Sequence, residues 1–311
     1  MTRIVSITAV VLALTLPSAG SAQPVSANFL YKLSSTTGVI PFHGLSVVFD
    51  SYHDETLVVG EGRVRLFNRT GMEVYAFGDD AALGSIVAAA PVEDGDFILL
   101  SYFDTGPALV RANFRGELKE RIEPSGLPPE VPLPFLPNGL GYAQGRIYLA
   151  DLGGMRVVIL GMDGKFQAFH DLAVACGVAD KRADNGLKGF RVAPNGDVLF
   201  TIQALFKAYV LAPDGTLRAF GVRGSAPGKF NIISGIAVDE RGYFYVADLL
   251  KSAVLVFDKD LKWVKEFGYR GARPGSIFAP VDVAAGDGKV FVSQFARKGV
   301  SVFEIKVAQA E

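Results

Sequence analysis

Gly221-Val222-Arg223-Gly224-Ser225-Ala226-Pro227-Gly228-Lys229-Phe230 and Gly268-Tyr269-Arg270-Gly271-Ala272-Arg273-Pro274-Gly275-Ser276-Ile277-Phe278 are two copies of one phrase. Gly221, Gly224, Pro227 and Gly228 return 47 residues later as Gly268, Gly271, Pro274 and Gly275. A period of that size marks a repeat architecture. Between the copies run Gly235-Ile236-Ala237-Val238-Asp239, Gly242-Tyr243-Phe244-Tyr245-Val246-Ala247-Asp248, Val254-Leu255-Val256-Phe257-Asp258 and Val264-Lys265-Glu266-Phe267-Gly268. Each run is short, rich in β-branched and aromatic residues, and bounded by turn formers. Four such strands make one blade of a β-propeller.

The cycle extends in both directions. First-strand turns fall at Asp54-Glu55, Asp94-Gly95, Gln144-Gly145, Asn195-Gly196, Arg241-Gly242 and Asp287-Gly288, at spacings of 40, 50, 51, 46 and 46. Turns between third and fourth strands fall at Thr70-Gly71, Arg115-Gly116, Asp163-Gly164, Asp214-Gly215 and Asp260-Leu261. Glycine suits these places because tight hairpins need positive φ. Six turns of the first kind against five of the second leave the last unit, ending at Val300–Ile305, one strand short. Asn28-Phe29-Leu30-Tyr31-Lys32-Leu33 supplies it, which also removes a free sheet edge. The expectation is all-β: a six-bladed β-propeller of four-stranded blades, with an N-terminal strand closing the last one.

The pattern Pro-Gly-x-Phe, Gly-Ile-Ala-Val-Asp, Tyr-Val-Ala-Asp and Val-Phe-Asp over residues 221–268 resembles the NHL repeat, in its exported bacterial form. Blade three carries Ile147-Tyr148-Leu149-Ala150-Asp151; blade six has Val290-Phe291-Val292-Ser293-Gln294 and departs at the aspartate. Blades one, two and four keep the hydrophobic pattern and lose most signature residues. Phe67, Phe77, Phe114, Phe169, Phe220, Phe257, Phe267 and Phe303 recur in strand positions, where packing between blades is their expected role.

Residues 1–22 read as a signal peptide: Arg3, the apolar run Ile4–Leu16, Pro17, then Gly20-Ser21-Ala22 before the cleavage point. The run is too short to span a bilayer. Residues 23–311 form the single propeller domain, exported to the periplasm or beyond, with no membrane insertion after cleavage. Without Arg3 the chain has 30 basic and 32 acidic residues, which argues against a nucleic-acid partner. One cysteine, Cys176, rules out an internal disulfide, and its apolar neighbours suggest a small buried hydrophobe.

In a propeller, the blade-to-blade connections and the loops between second and third strands share one face. Two connections are long: Glu123–Pro137, with six prolines, and His170–Leu187, with Cys176 and Asp180-Lys181-Arg182-Ala183-Asp184. Long loops in compact domains tend to carry function. The second-to-third-strand loops add Tyr102 and Asp104, Asp151 and Arg156, Asp248 and Lys251, and Gln294 and Arg297; His43 precedes the first inner strand. Together these form a candidate ligand-binding channel mouth. For Asp151 and Asp248 the competing role is to cap their own turns, and the same holds for Asp239 and Asp282.

No residue set marks a catalytic site. His43, His53 and His170 are placed too far apart in the repeat to converge on zinc, with His170 in a loop. There is no Gly-x-Ser-x-Gly elbow and no Cys-x-x-Cys-His. No cofactor is expected; Ca²⁺ or another divalent cation would belong to the alternative below. The leading reading is a non-catalytic binding or scaffolding propeller of the bacterial cell envelope, holding a protein, peptide or glycan on the long-loop face. The alternative, from resemblance to related six-bladed propellers, is a divalent-metal-dependent hydrolase or lyase of lactonase or esterase type with its site in the channel. A third reading is an oligomerising module.

Overall fold

The computed structural model describes residues 25–36, 38–39, 46–78, 80–295 and 298–308. The signal-peptide segment 1–22 lies outside these residues. Six four-stranded antiparallel sheets follow one another around a central channel. Blade one covers 46–78, blade two 85–122, blade three 139–171, blade four 190–220 and blade five 233–268. Blade six takes three strands from 280–307 and its outermost strand, Val25–Lys32, from the other end of the described chain. That strand pairs antiparallel with Val300–Val307, from Val25 opposite Val307 to Phe29 opposite Phe303, then shifts register before Tyr31 meets Val302. The expected closure is therefore present. No helix among the described residues is long and apolar enough to cross a membrane.

The turns behave as their residues require. The predicted first-strand turns all contain left-handed backbone, from Asp54 (φ 53) to Gly288 (φ 66). Between third and fourth strands Gly71, Gly116, Gly164 and Gly215 have φ of 82, 76, 79 and 88; Leu261 takes their place in blade five at φ 62. The repeated glycines have a second reason. Gly221 and Gly268 sit at φ 91 and 110, and a Cβ on them would lie 2.0 Å from the Phe230 ring and 2.5 Å from Ile277. The blade-to-blade connection folds back onto the strand it has just left, and only glycine leaves room.

The core lies between neighbouring blades. Phe220, Phe230 and Phe257 pack together, with Phe220 and Phe257 edge to face at 4.8 Å, and Phe267 meets Phe303 at 4.9 Å. Phe114 is the exception to the packing role: it stands exposed in a third-to-fourth-strand turn. His170 also differs from expectation. It belongs to the fourth strand of blade three, Phe166–Asp171, opposite Val157. The connection after it is built rather than loose, with a short helix Leu172–Ala175 and a second at Arg182–Asn185. Asp171 caps the first through Val174 N, and Arg182 binds both oxygens of Asp171 at 2.9 and 2.7 Å. Cys176 is half-buried against the cluster between blades three and four.

Candidate functional site

The long connections and the second-to-third-strand loops lie on one face and are stitched together. Leu249 N donates to Ile232 O at 2.8 Å, Leu187 N to Leu152 O at 2.8 Å and Phe295 N to Ala279 O at 3.1 Å. Several candidate side chains serve that stitching. Asp248 is fully buried and accepts from the backbone N–H groups of Asn231, Ile232 and Lys251. Lys251 Nζ reaches Glu266 at 2.7 Å and Ala226 O at 3.0 Å, with both charged side chains out of solvent. Gln294 is buried, accepting from Phe278 N and donating to Ser301 Oγ, each at 2.8 Å. A buried polar group needs such partners.

Three candidates come together between blades two and three. Tyr102 donates to Pro137 O at 2.9 Å, tying its loop to the proline-rich connection. Burial and the nearby Asp151 charge raise its phenol pKa. Asp151 caps Gly154 N at 2.7 Å and stands 4.0 Å from Arg156. Arg156 Nε is buried without an acceptor, so this guanidinium has unused donor capacity. Asp104 is exposed at its turn. His43 and Arg297 lie outside the described residues.

The same face carries exposed apolar side chains. Leu133 is 82% exposed and Leu136 50%, both in the proline-rich connection. Val174, Val222, Leu250, Tyr269 and Phe295 are exposed in the other connections and loops of this face.

The opposite mouth holds a feature that the sequence did not announce. A cavity of about 980 Å³ is lined by the ends of the first strands and the turns after them, from all six blades. Much of its wall is alanine, glycine or aliphatic: Ala89, Ala90, Leu140, Gly141, Ala237 and Ala284. At its rim Glu93 of blade two accepts from Tyr52 of blade one at 3.2 Å and Tyr142 of blade three at 2.6 Å. Burial alone would raise the Glu93 pKa, but bonds from Tyr142, its own backbone and Tyr52 hold it below the ordinary value. Burial and Glu93 push the Tyr142 phenol up. Asp239 is a buried turn-holder, as the capping role requires, accepting from Arg241, Tyr243 N and Tyr245 Oη.

Asp282 does something else. Its carboxylate accepts from Ser46 Oγ and Val47 N of blade one, and from Arg191 of blade four at 3.0 and 3.2 Å. Arg191 Nη2 also donates to Val283 O. This link joins blades four, six and one past Gly235 of blade five, where a Cβ would lie 2.5 Å from Asp282. Gly235 is what lets the pair meet. No local pattern signals a contact between residues 91 apart.

Among the described residues, no group of three or more His, Cys, Asp or Glu side chains is placed to hold a metal ion.

No family profile and no curated protein sequence matches the chain. Solved structures do. A protein of unknown function from Bacteroides thetaiotaomicron superposes with a TM-score of 0.62 at 13% identity, over 91% of this chain and 76% of that one. A streptogramin B lyase gives 0.57 at 12% identity, over 92% and 88%. A chain from a nidogen/laminin complex gives 0.54 at 14% identity, over 77% and 85%. At such identities the likeness is one of fold: this chain is a six-bladed β-propeller with propeller neighbours.

Proposed function

We propose that this protein is a non-catalytic binding propeller of NHL type, exported to the cell envelope, that holds a protein partner on the face bearing the long connections. The observation that carries this reading is the proline-rich connection with its strongly exposed Leu133, at 82%, and Leu136, joined on the same face by exposed Val174, Leu250 and Phe295. Neighbouring exposed apolar side chains such as Leu133 and Leu136 mark an interaction surface, whereas single ones need no explanation. Stitched loops favour the same role, because a preorganised surface loses little entropy on binding. Arg156, with Nε unmet beside Asp151 and Tyr102, adds a charged anchor of the kind enriched at interfaces. That one neighbour in fold comes from a protein–protein complex is in keeping with this use.

A photoreactive residue placed at Leu133 tests the proposal in producing cells. The expected result is a discrete cross-linked product that Leu136→Asp with Leu250→Asp removes, and none from the same residue at Phe114 on the opposite face. Cross-linking equal at both positions, or absent from both, would overturn it. N-terminal sequencing of the exported protein is expected to begin at Gln23.

The alternative, a metal-dependent hydrolase or lyase, is tested by metal analysis of the mature protein and by its melting temperature with and without EDTA. Stoichiometric metal whose removal lowers the melting temperature would favour that alternative and send the search to hydrolase substrates.

A further inference from the structure

The loop-bearing face is divided by charge. In blades four to six its loops and connections are segments 203–206, 221–232, 249–252, 269–279 and 295–299, and they contain no aspartate or glutamate. They contribute Arg223, Lys229, Arg270, Arg273 and Lys298, all exposed. In blades one to three the corresponding segments are 61–62, 79–84, 104–105, 123–138 and 152–155, and they contain no lysine or arginine. They contribute Glu61, Asp80, Asp104, Glu123 and Glu130, also exposed. The two remaining connections lie where the halves meet. Segment 172–189, from blade three to blade four, carries both signs, and 33–45, from blade six to blade one, carries neither. The small net charge of −1 hides this division.

Strand ends on the face change it little. Lys251 is paired with Glu266 and Arg182 with Asp171, Arg156 stands beside Asp151, and Asp248 is buried. Arg63 and Arg121 are basic on the acidic side, with Arg121 lying over the Phe103 ring. Lys207 and Lys32 add to the basic side. Lys32 Nζ donates to Lys298 O at 3.1 Å, and burial together with the Lys298 charge lowers its pKa. Among the described residues no ion pair joins Arg223, Lys229, Arg270, Arg273 or Lys298 to a carboxylate. Arg223 and Arg270 are stacked over Phe206 and Phe278, which holds these cations in place.

Exposed Val222, Leu250, Tyr269 and Phe295 belong to the same basic segments. Cations interleaved with apolar groups suit an occupant that brings both carboxylates and apolar side chains. A polyanionic glycan would leave the apolar groups uncovered. A flat anionic membrane would press its charge against Glu61, Asp80, Asp104, Glu123 and Glu130 as well.

We propose that the partner on this face is an acidic polypeptide segment lying over blades four to six, its carboxylates on those cations and its apolar side chains among them. This rests on the reading of the face as a docking surface and adds the partner's chemistry and placement. The acidic blades repel the same segment and so fix which way it lies.

The test is fluorescence anisotropy of the mature protein with a labelled peptide in which pairs of glutamate alternate with leucine or phenylalanine. The peptide is expected to bind, and to bind more weakly as salt rises. Arg270→Glu with Arg273→Glu should weaken it about tenfold or more, and Glu123→Lys with Glu130→Lys should leave it within about twofold. All four positions are exposed, so each variant should melt as the parent does. Absence of binding, or binding indifferent to Arg270→Glu with Arg273→Glu, would overturn the proposal. So would a heparin fragment, or vesicles of equal parts phosphatidylglycerol and phosphatidylcholine, that binds through the same two arginines at least as tightly as the peptide. Cross-linking from Leu133 separates this failure from that of the docking face. A Leu133 product whose yield Arg270→Glu with Arg273→Glu leaves unchanged keeps the face and removes the acidic partner; no product at Leu133 removes the face itself.

Discussion

Lys251 and Glu266 show what a single buried pair does here. Burial alone would raise the Glu266 pKa, but bonds from Lys251, Tyr269 and Gly228 N hold it below the ordinary 4.5. The folded carboxyl is thus the stronger acid. Its stabilisation is full above the unfolded value and is lost as pH falls through the lowered folded one. Glu266→Gln is expected to cost about 2–4 kcal/mol at pH 7 in urea titrations, because Lys251 is left buried and unpaired. The same variant should lose less stability than the parent between pH 7 and pH 3. Cys176 makes a second case. Burial pushes its thiol up to about 11, a bond with Tyr209 only partly opposing this. Its reaction with a disulfide reagent at pH 8 should be about a hundredfold slower than that of an ordinary thiol, and should recover on unfolding in urea. A fast reaction in the folded state would contradict the raised thiol pKa.

At the scale of strands and turns, the glycines that end each repeat are the sensitive points. Gly268→Ala combines a Cβ 2.5 Å from Ile277 with a φ of 110. It is expected to lower stability by about 2–4 kcal/mol, measured by chemical denaturation. Much at this scale is legible in the sequence, because each feature is local. Turn glycines, strand alternation and the missing strand are all set by residues close together in the chain, so blade number and closure follow from counting. What escapes is what depends on distant residues. Arg191 and Asp282 meet only once three blades are in place. The cavity's alanines lie in ordinary-looking inner strands, and nothing in Ala89 or Ala284 by itself says that they face each other's blades across a channel. His170 looks like the start of a loop because helices Leu172–Ala175 and Arg182–Asn185 are too short to show a helical period. Among the candidate residues of the loop face, Asp248 and Gln294 are hydrogen-bonded into the scaffold. A capping aspartate and a ligand-binding one have the same sequence signature; only their partners tell them apart.

For the molecule as a ring, the closing seam is the one between the two chain segments of blade six. Removing Val25–Lys32 strips the outer edge of Val300–Val307 and uncovers Phe303, which packs against Phe29 at 5.7 Å. An open edge of that kind invites pairing with other chains. The truncated protein is expected to self-associate in size-exclusion chromatography, and a synthetic peptide of residues 25–32 should return it to the monomer position by restoring the strand. A truncated protein that stays monomeric and melts as the parent does would show the closing strand to be dispensable. The same arrangement has a consequence in time. Val25–Lys32 must wait for the strand it joins, some 275 residues further along the chain, on the order of tens of seconds at ordinary synthesis rates. Blades one to five can assemble in the order of their making. The circle is completed only when Val300–Val307 is in place, so until then the folding chain is an open arc with Val25–Lys32 unattached.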